Sequence, residues 1–275
     1  MILKYDDLNI NVEIIGEGDN TTPIVFLHGF TGSGEDFNLI SSILNCSKSI
    51  LIDLPGHGKS DIPKELKYYS QDFLVELIEG VRVALKIEKF YLAGYSMGGR
   101  LAFSYAIKYS ENLKGLICLS ATAGIEDPKL RENRIEEDAI ISDFIEVNEI
   151  SDFIDFWLSR SLFTTLDRIP PEKYTELKER KLKNEPLGLS NMLKGFGTGT
   201  MKPLWSELGA IKCPVLLICG EADLKFRSIN EKIAAQISNC ELYKIKYCGH
   251  IVYEENPLET VLKIQDFINR IEGNK

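Results

Sequence analysis

Short, almost uninterrupted apolar runs alternate with longer stretches of helical spacing along most of the chain. PIVFLHGF (23–30), KSILIDLPG (48–56), KFYLAGYS (89–96) and LKGLICLSA (113–121) predict strands buried on both faces, as in a parallel sheet. Between them, residues 69–85 and 97–109 repeat apolar positions at helical intervals. After position 210 the alternation resumes: CPVLLICG (213–220), a helix near 229–237, ELYKIKY (241–247), then a helix opening at Pro257. Proline suits that first turn, where its missing N–H would go unused. The pattern predicts an α/β protein with a mostly parallel central sheet flanked by helices. The N-terminal MILKYDDLNINVEI alternates polar and apolar residues with early acids, which is not the basic start and apolar run of a signal peptide.

Residues 122–205 break this rhythm. They are rich in charge (KLRENRIEED, EKYTELKERKLKNE), helical in spacing and without a good strand. A helical segment between two βα blocks reads as a lid over the carboxyl edge of the sheet, where ligands bind in open α/β folds. The expected organisation is a core of 1–121 and 206–275 with a helical lid insertion at 122–205.

Composition narrows the function. At 275 residues with 44% hydrophobic content, the chain can bury one large core, or a core plus a small unit. No stretch approaches the roughly 18 apolar residues of a membrane span. The formal net charge of -9 argues against nucleic acid, whose phosphates need a basic face. A soluble, cytoplasmic protein is expected. The six cysteines (Cys46, Cys118, Cys213, Cys219, Cys240, Cys248) form no CxxC pair, and three sit in or beside apolar runs, so they read as small buried hydrophobes.

The chemistry concentrates at GYSMG, 94–98. This G-x-S-x-G follows a strand and opens a helix, the context in which it forms a nucleophile elbow. The turn is so tight that the residues two before and two after Ser96 must be very small. A serine hydroxyl needs a histidine to take its proton. Of the three histidines, His28 and His57 precede Ser96, whereas His250 follows the last strand, as the order serine, acid, histidine requires. The acid should end the preceding strand; CPVLLICGEAD offers Asp223, with Glu221 as the fallback. Oxyanion donors map to the amides of Met97 and of Phe30, in HGFTGSG, whose glycines at 29, 32 and 34 permit close approach. GHGKS at 56–60 is a turn and not a phosphate loop, because position 53 is Asp53 where glycine would be needed. Nothing resembles a metal-ligand cluster, and no cofactor is implied.

Arg100 lies four residues after Ser96, on the same side of the helix. It is an awkward neighbour for an apolar ester pocket and a natural clamp for a carboxylate. In the lid, Arg131, Arg134 and Lys181 offer further positive charge. GYSMGGRLA, HGFTGSGEDF, DLPGHGKSD, GEADLKF and GHIVYEENP, with the lid segments FWLSRSLF and LKNEPLGLSNMLKGFGTGTMKPLW, together resemble the 2-succinyl-6-hydroxy-2,4-cyclohexadiene-1-carboxylate synthases of menaquinone biosynthesis, which have the α/β-hydrolase fold. The resemblance runs over nearly the whole chain.

It implies that Ser96, Asp223 and His250 form the triad, that Tyr95 and Arg100 flank the nucleophile, and that Arg134 meets a substrate carboxylate. It also implies that Trp157 and Phe163 are aromatics over the pocket. Where many members have another lid arginine, this chain has Lys181; a slip of alignment would give Arg180 instead. The implied reaction eliminates pyruvate from a small polycarboxylate, 2-succinyl-5-enolpyruvyl-6-hydroxy-3-cyclohexene-1-carboxylate. Two other readings stay open: a serine carboxylesterase, thioesterase or carbon–carbon bond hydrolase, and a ligand-binding protein that kept the fold.

Overall fold

In the computed structural model, which describes residues 1–16, 22–44 and 48–273, one sheet holds eight strands in the order β1-β2-β4-β3-β5-β6-β7-β8. They are β1 (Ile2–Tyr5), β2 (Leu8–Ile15), β3 (Ile24–Leu27), β4 (Ser49–Ile52), β5 (Phe90–Tyr95), β6 (Leu113–Leu119), β7 (Val215–Gly220) and β8 (Cys240–Ile245). From β4 to β8 every pairing is parallel, whereas β1 and β2 run antiparallel at one edge. The five apolar runs and ELYKIKY are the six parallel strands, and β8, formed by the last of these, is only partly buried at the far edge. The first two strands are the alternating N-terminal segment: β2 is buried at Leu8, Ile10 and Val12 and open at Asn9 and Glu13, as befits strands near an edge.

Period-two alternation splits the strand side chains between two cores. Val25, Leu27, Leu92 and Leu217 join one, against α2 (Gln71–Ala84), α3 (Met97–Tyr109) and α8 (Leu224–Ala234). Ile24, Phe26, Tyr91 and Ile218 join the other, against α1 (Asn38–Ile43) and α10 (Pro257–Glu272). Fully buried side chains such as Phe26, Phe103 and Phe267 each contribute roughly 1.5–3 kcal/mol of hydrophobic stabilisation. Cys118, Cys213, Cys219 and Cys248 are buried free thiols, Cys240 is partly exposed, and Cys46 lies outside the described residues. Helix α8 begins at Leu224, not near 229, because the Asp223 carboxylate accepts from the Phe226 amide and caps it.

Between β6 and β7 the chain forms α4 (Pro128–Val147), α5 (Ile150–Leu158), α6 (Pro171–Leu182) and α7 (Pro186–Phe196), and no strand is found there among the described residues. Their apolar faces join the second core through Ile141, Phe153, Leu177 and Leu189, so these helices are packed onto the sheet edge and not tethered beside it. A short α9 (Val252–Glu255) precedes α10. No helix among the described residues is long and apolar enough to cross a membrane.

Candidate active site

Ser96 sits between β5 and α3 with φ 49° and ψ -103°, a left-handed backbone that a side chain adopts only under strain. Its amide is anchored to the Leu119 carbonyl of β6 at 2.9 Å. The flanking glycines are obligatory. A Cβ on Gly94 would stand 2.3 Å from the Gly98 carbonyl oxygen, and one on Gly98 would stand 2.1 Å from that of Leu27. The elbow therefore exists only where helix and strand can touch backbone to backbone.

His250 Nε2 lies 3.1 Å from Ser96 Oγ, and its Nδ1 lies 2.7 Å from Asp223 Oδ2. The ring is 2% exposed, packed 4.4 Å from Phe226, and the carboxylate is almost as deeply buried. Asp223 uses its other oxygen to accept from the Phe226 amide at 3.1 Å, so a helix start and a histidine share one carboxylate. Glu221 is exposed and does not face the ring; of the two acids in GEAD, the geometry selects Asp223. Glu255 accepts from the amides of Gly249 (2.7 Å) and Ile251 (3.1 Å), fixing the backbone on both sides of His250.

The other two histidines are occupied elsewhere. His28 accepts from the Leu54 amide at 3.0 Å and faces the Gly29 carbonyl, and His57 stacks 4.9 Å from it. Burial, then the neighbouring imidazole, pushes the His57 pKa down to about 3.

Ser96 opens onto a cavity of about 600 Å³ at the carboxyl ends of the strands. Phe30, Met97, Arg100, Arg134 and Trp157 all line it. Met97 is the first residue of α3, so its amide has no carbonyl partner within the helix. Phe30 enters from the loop after β3, which turns tightly through a Gly32 amide to Gly29 carbonyl bond at 3.0 Å. Arg100 is 6% exposed and donates through Nη1 to the Phe196 carbonyl at 2.9 Å, with its guanidinium 4.7 Å from the Phe196 ring. Burial, then the charge of Arg134, lowers its pKa to about 9. Arg134 pairs with Asp138 at 2.8 Å, and Trp157 meets Phe30 edge to face at 5.1 Å.

Three expected substrate contacts are placed elsewhere. Tyr95 and Phe163 do not line the cavity; their rings pack 5.4 and 6.0 Å from His250, behind the triad. Burial, then the Asp223 charge, raises the Tyr95 hydroxyl well above its ordinary value. Lys181 is 3% exposed on the far side of the loop after β3, where Asp36 and Glu254 are its nearest opposite charges. Arg180 does not line the cavity either: it pairs with both of those acids. Carboxylates on the core side draw the last turn of α6 away from Ser96. Arg131 is also absent from the lining. In their place the cavity receives Arg160, in FWLSRSLF, and Lys225, in GEADLKF, neither of which helical spacing singles out. Among the described residues no group of three or more His, Cys, Asp or Glu side chains could hold a metal ion.

A parallel sheet carrying a strained serine elbow, with histidine and aspartate from the last two strand ends, defines an α/β hydrolase, and residues 22–257 match the family model of the alpha/beta hydrolase fold. The chain is 35% identical, over 95% of its length and 96% of the relative's, to a Bacillus subtilis protein provisionally named 2-succinyl-6-hydroxy-2,4-cyclohexadiene-1-carboxylate synthase. It is 29% identical to the synthase of that name from Klebsiella pneumoniae, covering 88% of this chain and 94% of that one. The solved structure of MenH from S. aureus superposes with a TM-score of 0.91 at 29% identity, over 95% of this chain and 98% of that one. Within the α/β hydrolases, the chain belongs to the 2-succinyl-6-hydroxy-2,4-cyclohexadiene-1-carboxylate synthase family.

Proposed function

We propose that this protein eliminates pyruvate from 2-succinyl-5-enolpyruvyl-6-hydroxy-3-cyclohexene-1-carboxylate, the menaquinone-pathway reaction its family is named for. The observation that carries this beyond the fold is the cavity itself. In a chain of net charge -9, the space in front of Ser96 is lined, among the described residues, by Arg100, Arg134, Arg160 and Lys225 against the single carboxylate Asp223. Such a lining suits a small polycarboxylate and not a neutral ester. It does not suit nucleic acid or a membrane surface, and a cytoplasmic enzyme fits this reading.

The chemistry follows from the bonds that change. His250 takes the Ser96 proton, and Ser96 Oγ removes the hydrogen on the ring carbon beside the succinyl ketone. The amides of Phe30 and Met97 hold the negative charge that develops on the ketone oxygen. The electron pair then moves through the ring alkene to the carbon bearing the enolpyruvyl ether. That carbon–oxygen bond breaks, a conjugated diene forms, and the released enolate takes a proton on its methylene carbon to become pyruvate. Asp223 fixes the imidazole tautomer and balances its transient charge. No acyl-enzyme is needed. Residues 122–205 act as a lid that supplies Arg134, Trp157 and Arg160, while Tyr95 and Phe163 brace His250.

The direct test is pyruvate release from freshly prepared substrate, comparing wild type with Ser96→Ala against the uncatalysed blank. Fast release lost in the variant supports the reading. Release no faster than the blank, with ester turnover intact, would leave an ordinary serine hydrolase.

A further inference from the structure

We infer that Arg160 and Lys225 form an outer carboxylate subsite of the cavity, on the side of the triad acid and separate from the buried Arg100. The carboxylate class rests on the function proposed above; the placement rests on the cavity.

Four cationic side chains line one space of about 600 Å³, and they stand at different depths. Arg100 is buried and anchored to Phe196. Arg134 is steered by Asp138. Arg160 and Lys225 enter from separate segments, one after α5 and the other in the first turn of α8; Lys225 is exposed and Arg160 half-buried. Among the described residues no ion pair forms at Arg100, Arg160 or Lys225, whereas many exposed lysines of this acidic chain do find a carboxylate. Instead the Arg160 guanidinium lies 5.4 Å from the Trp157 ring and the Lys225 ammonium 5.8 Å from that of Phe226, both beside the triad cavity. Burial and then Arg134 hold the Lys225 ammonium below its ordinary pKa, with Asp223 opposing and Arg160 adding to the depression. Arg160 and Lys225, cations facing one space without a paired carboxylate among the described residues, favour an anionic ligand there. Because Lys225 follows Asp223 by two residues, an anion there also screens its positive charge from the carboxylate that serves His250.

The chain has only two tryptophans, Trp157 and Trp205, and both line this cavity, so intrinsic fluorescence reports its occupancy without turnover. Benzene-1,2,4-tricarboxylate should quench the wild type saturably. Lys225→Met and Arg160→Met should each weaken that binding about tenfold and the double variant about a hundredfold, as expected for loss of one or two charged contacts. Lys225→Arg should restore affinity to within about threefold of wild type, and Lys232→Met, an exposed charge at the other end of α8, should leave it unaltered. In turnover with the enolpyruvyl substrate, the loss should fall on KM more than on kcat. Equal affinity in wild type and double variant, or no saturable quenching of the wild type, overturns the subsite. A protein that releases no pyruvate yet loses the tricarboxylate in these variants keeps the subsite and loses the elimination. Pyruvate release with unaltered binding and KM in the double variant removes the subsite alone.

Discussion

Arg180 of α6 donates through Nε to Asp36 Oδ1 at 3.1 Å, and the aspartate side chain is only 2% exposed. The same guanidinium pairs with Glu254, just beyond His250. One helix of the segment between β6 and β7 is thereby fastened to both loops that frame the triad. Arg180→Met leaves the buried Asp36 charge without its partner and should cost about 3–5 kcal/mol. Lys183→Met, which breaks an exposed pair with Glu35, should cost about 0–1 kcal/mol. Urea unfolding of the two variants distinguishes them; equal midpoints would mean the Arg180 pairs carry no special weight.

Glu255 holds the amides on either side of His250. Glu255→Gln puts an amide N–H where an acceptor is needed, so the imidazole should lose its alignment to Ser96. The expected result is a fall of about 10- to 100-fold in kcat with KM little changed. Steady-state pyruvate release measures it, and a kcat equal to wild type would show that the histidine loop holds its position unaided.

Arg100 sets stability against function. Among the described residues its buried charge has no carboxylate within pairing distance, and the depressed pKa of about 9 marks a cost on the order of a few kcal/mol. Arg100→Met strands the Phe196 carbonyl, which costs about 1–3 kcal/mol, yet removes that larger burden. The variant should unfold at higher urea by about 1–2 kcal/mol while kcat/KM drops by about 100-fold. A variant both less stable and inactive would mean that the arginine is structural.

His57 gives the acid limb of stability a definite sign. Its folded pKa, about 3, lies below the ordinary imidazole value of about 6.5, so between those pH values the unfolded chain binds a proton that the folded one refuses. Stability should be full above about pH 6.5 and fall as pH drops toward 3, by up to about 1.4 kcal/mol per pH unit from this group. His28, also lowered chiefly by burial, adds in the same direction. His57→Gln should flatten the limb in unfolding curves taken at successive pH values; parallel limbs in both proteins would refute the assignment.

Much of this was legible in the chain because local rules and global topology agree. The four nearly continuous apolar runs before position 122 could only be strands covered on both faces, and GYSMG at the junction of one with a helix fixed where Ser96 stands. Three histidines in fixed order left one candidate base, His250, and it is the one that meets Ser96. What sequence could not resolve was the direction of side chains supplied by a charged, helical insertion. EKYTELKERKLKNE offers cations on every face, and only the packed position of Asp36 and Glu254 shows that Arg180 and Lys181 turn away from Ser96. Arg160 and Lys225 are hidden in the sequence for the converse reason: their own segments mark them as ordinary surface charges, and only the fold brings both to one cavity. The alternating MILKYDDLNINVEI, not among the runs predicted as strands, forms β1 and β2, and alternation at one end of a chain does not say which neighbour it will pair with.

The left-handed backbone of Ser96 has a bearing on how such a chain changes over generations. A glycine there would relieve the turn and a methionine at position 100 would relieve the buried charge, so selection for persistence alone pulls both sites away from chemistry. In a duplicated copy released from its pathway, change at these two positions would leave a sturdier protein with an empty-handed fold. Retention of serine and arginine together is therefore a record of continuous use, readable in any descendant before its activity is assayed.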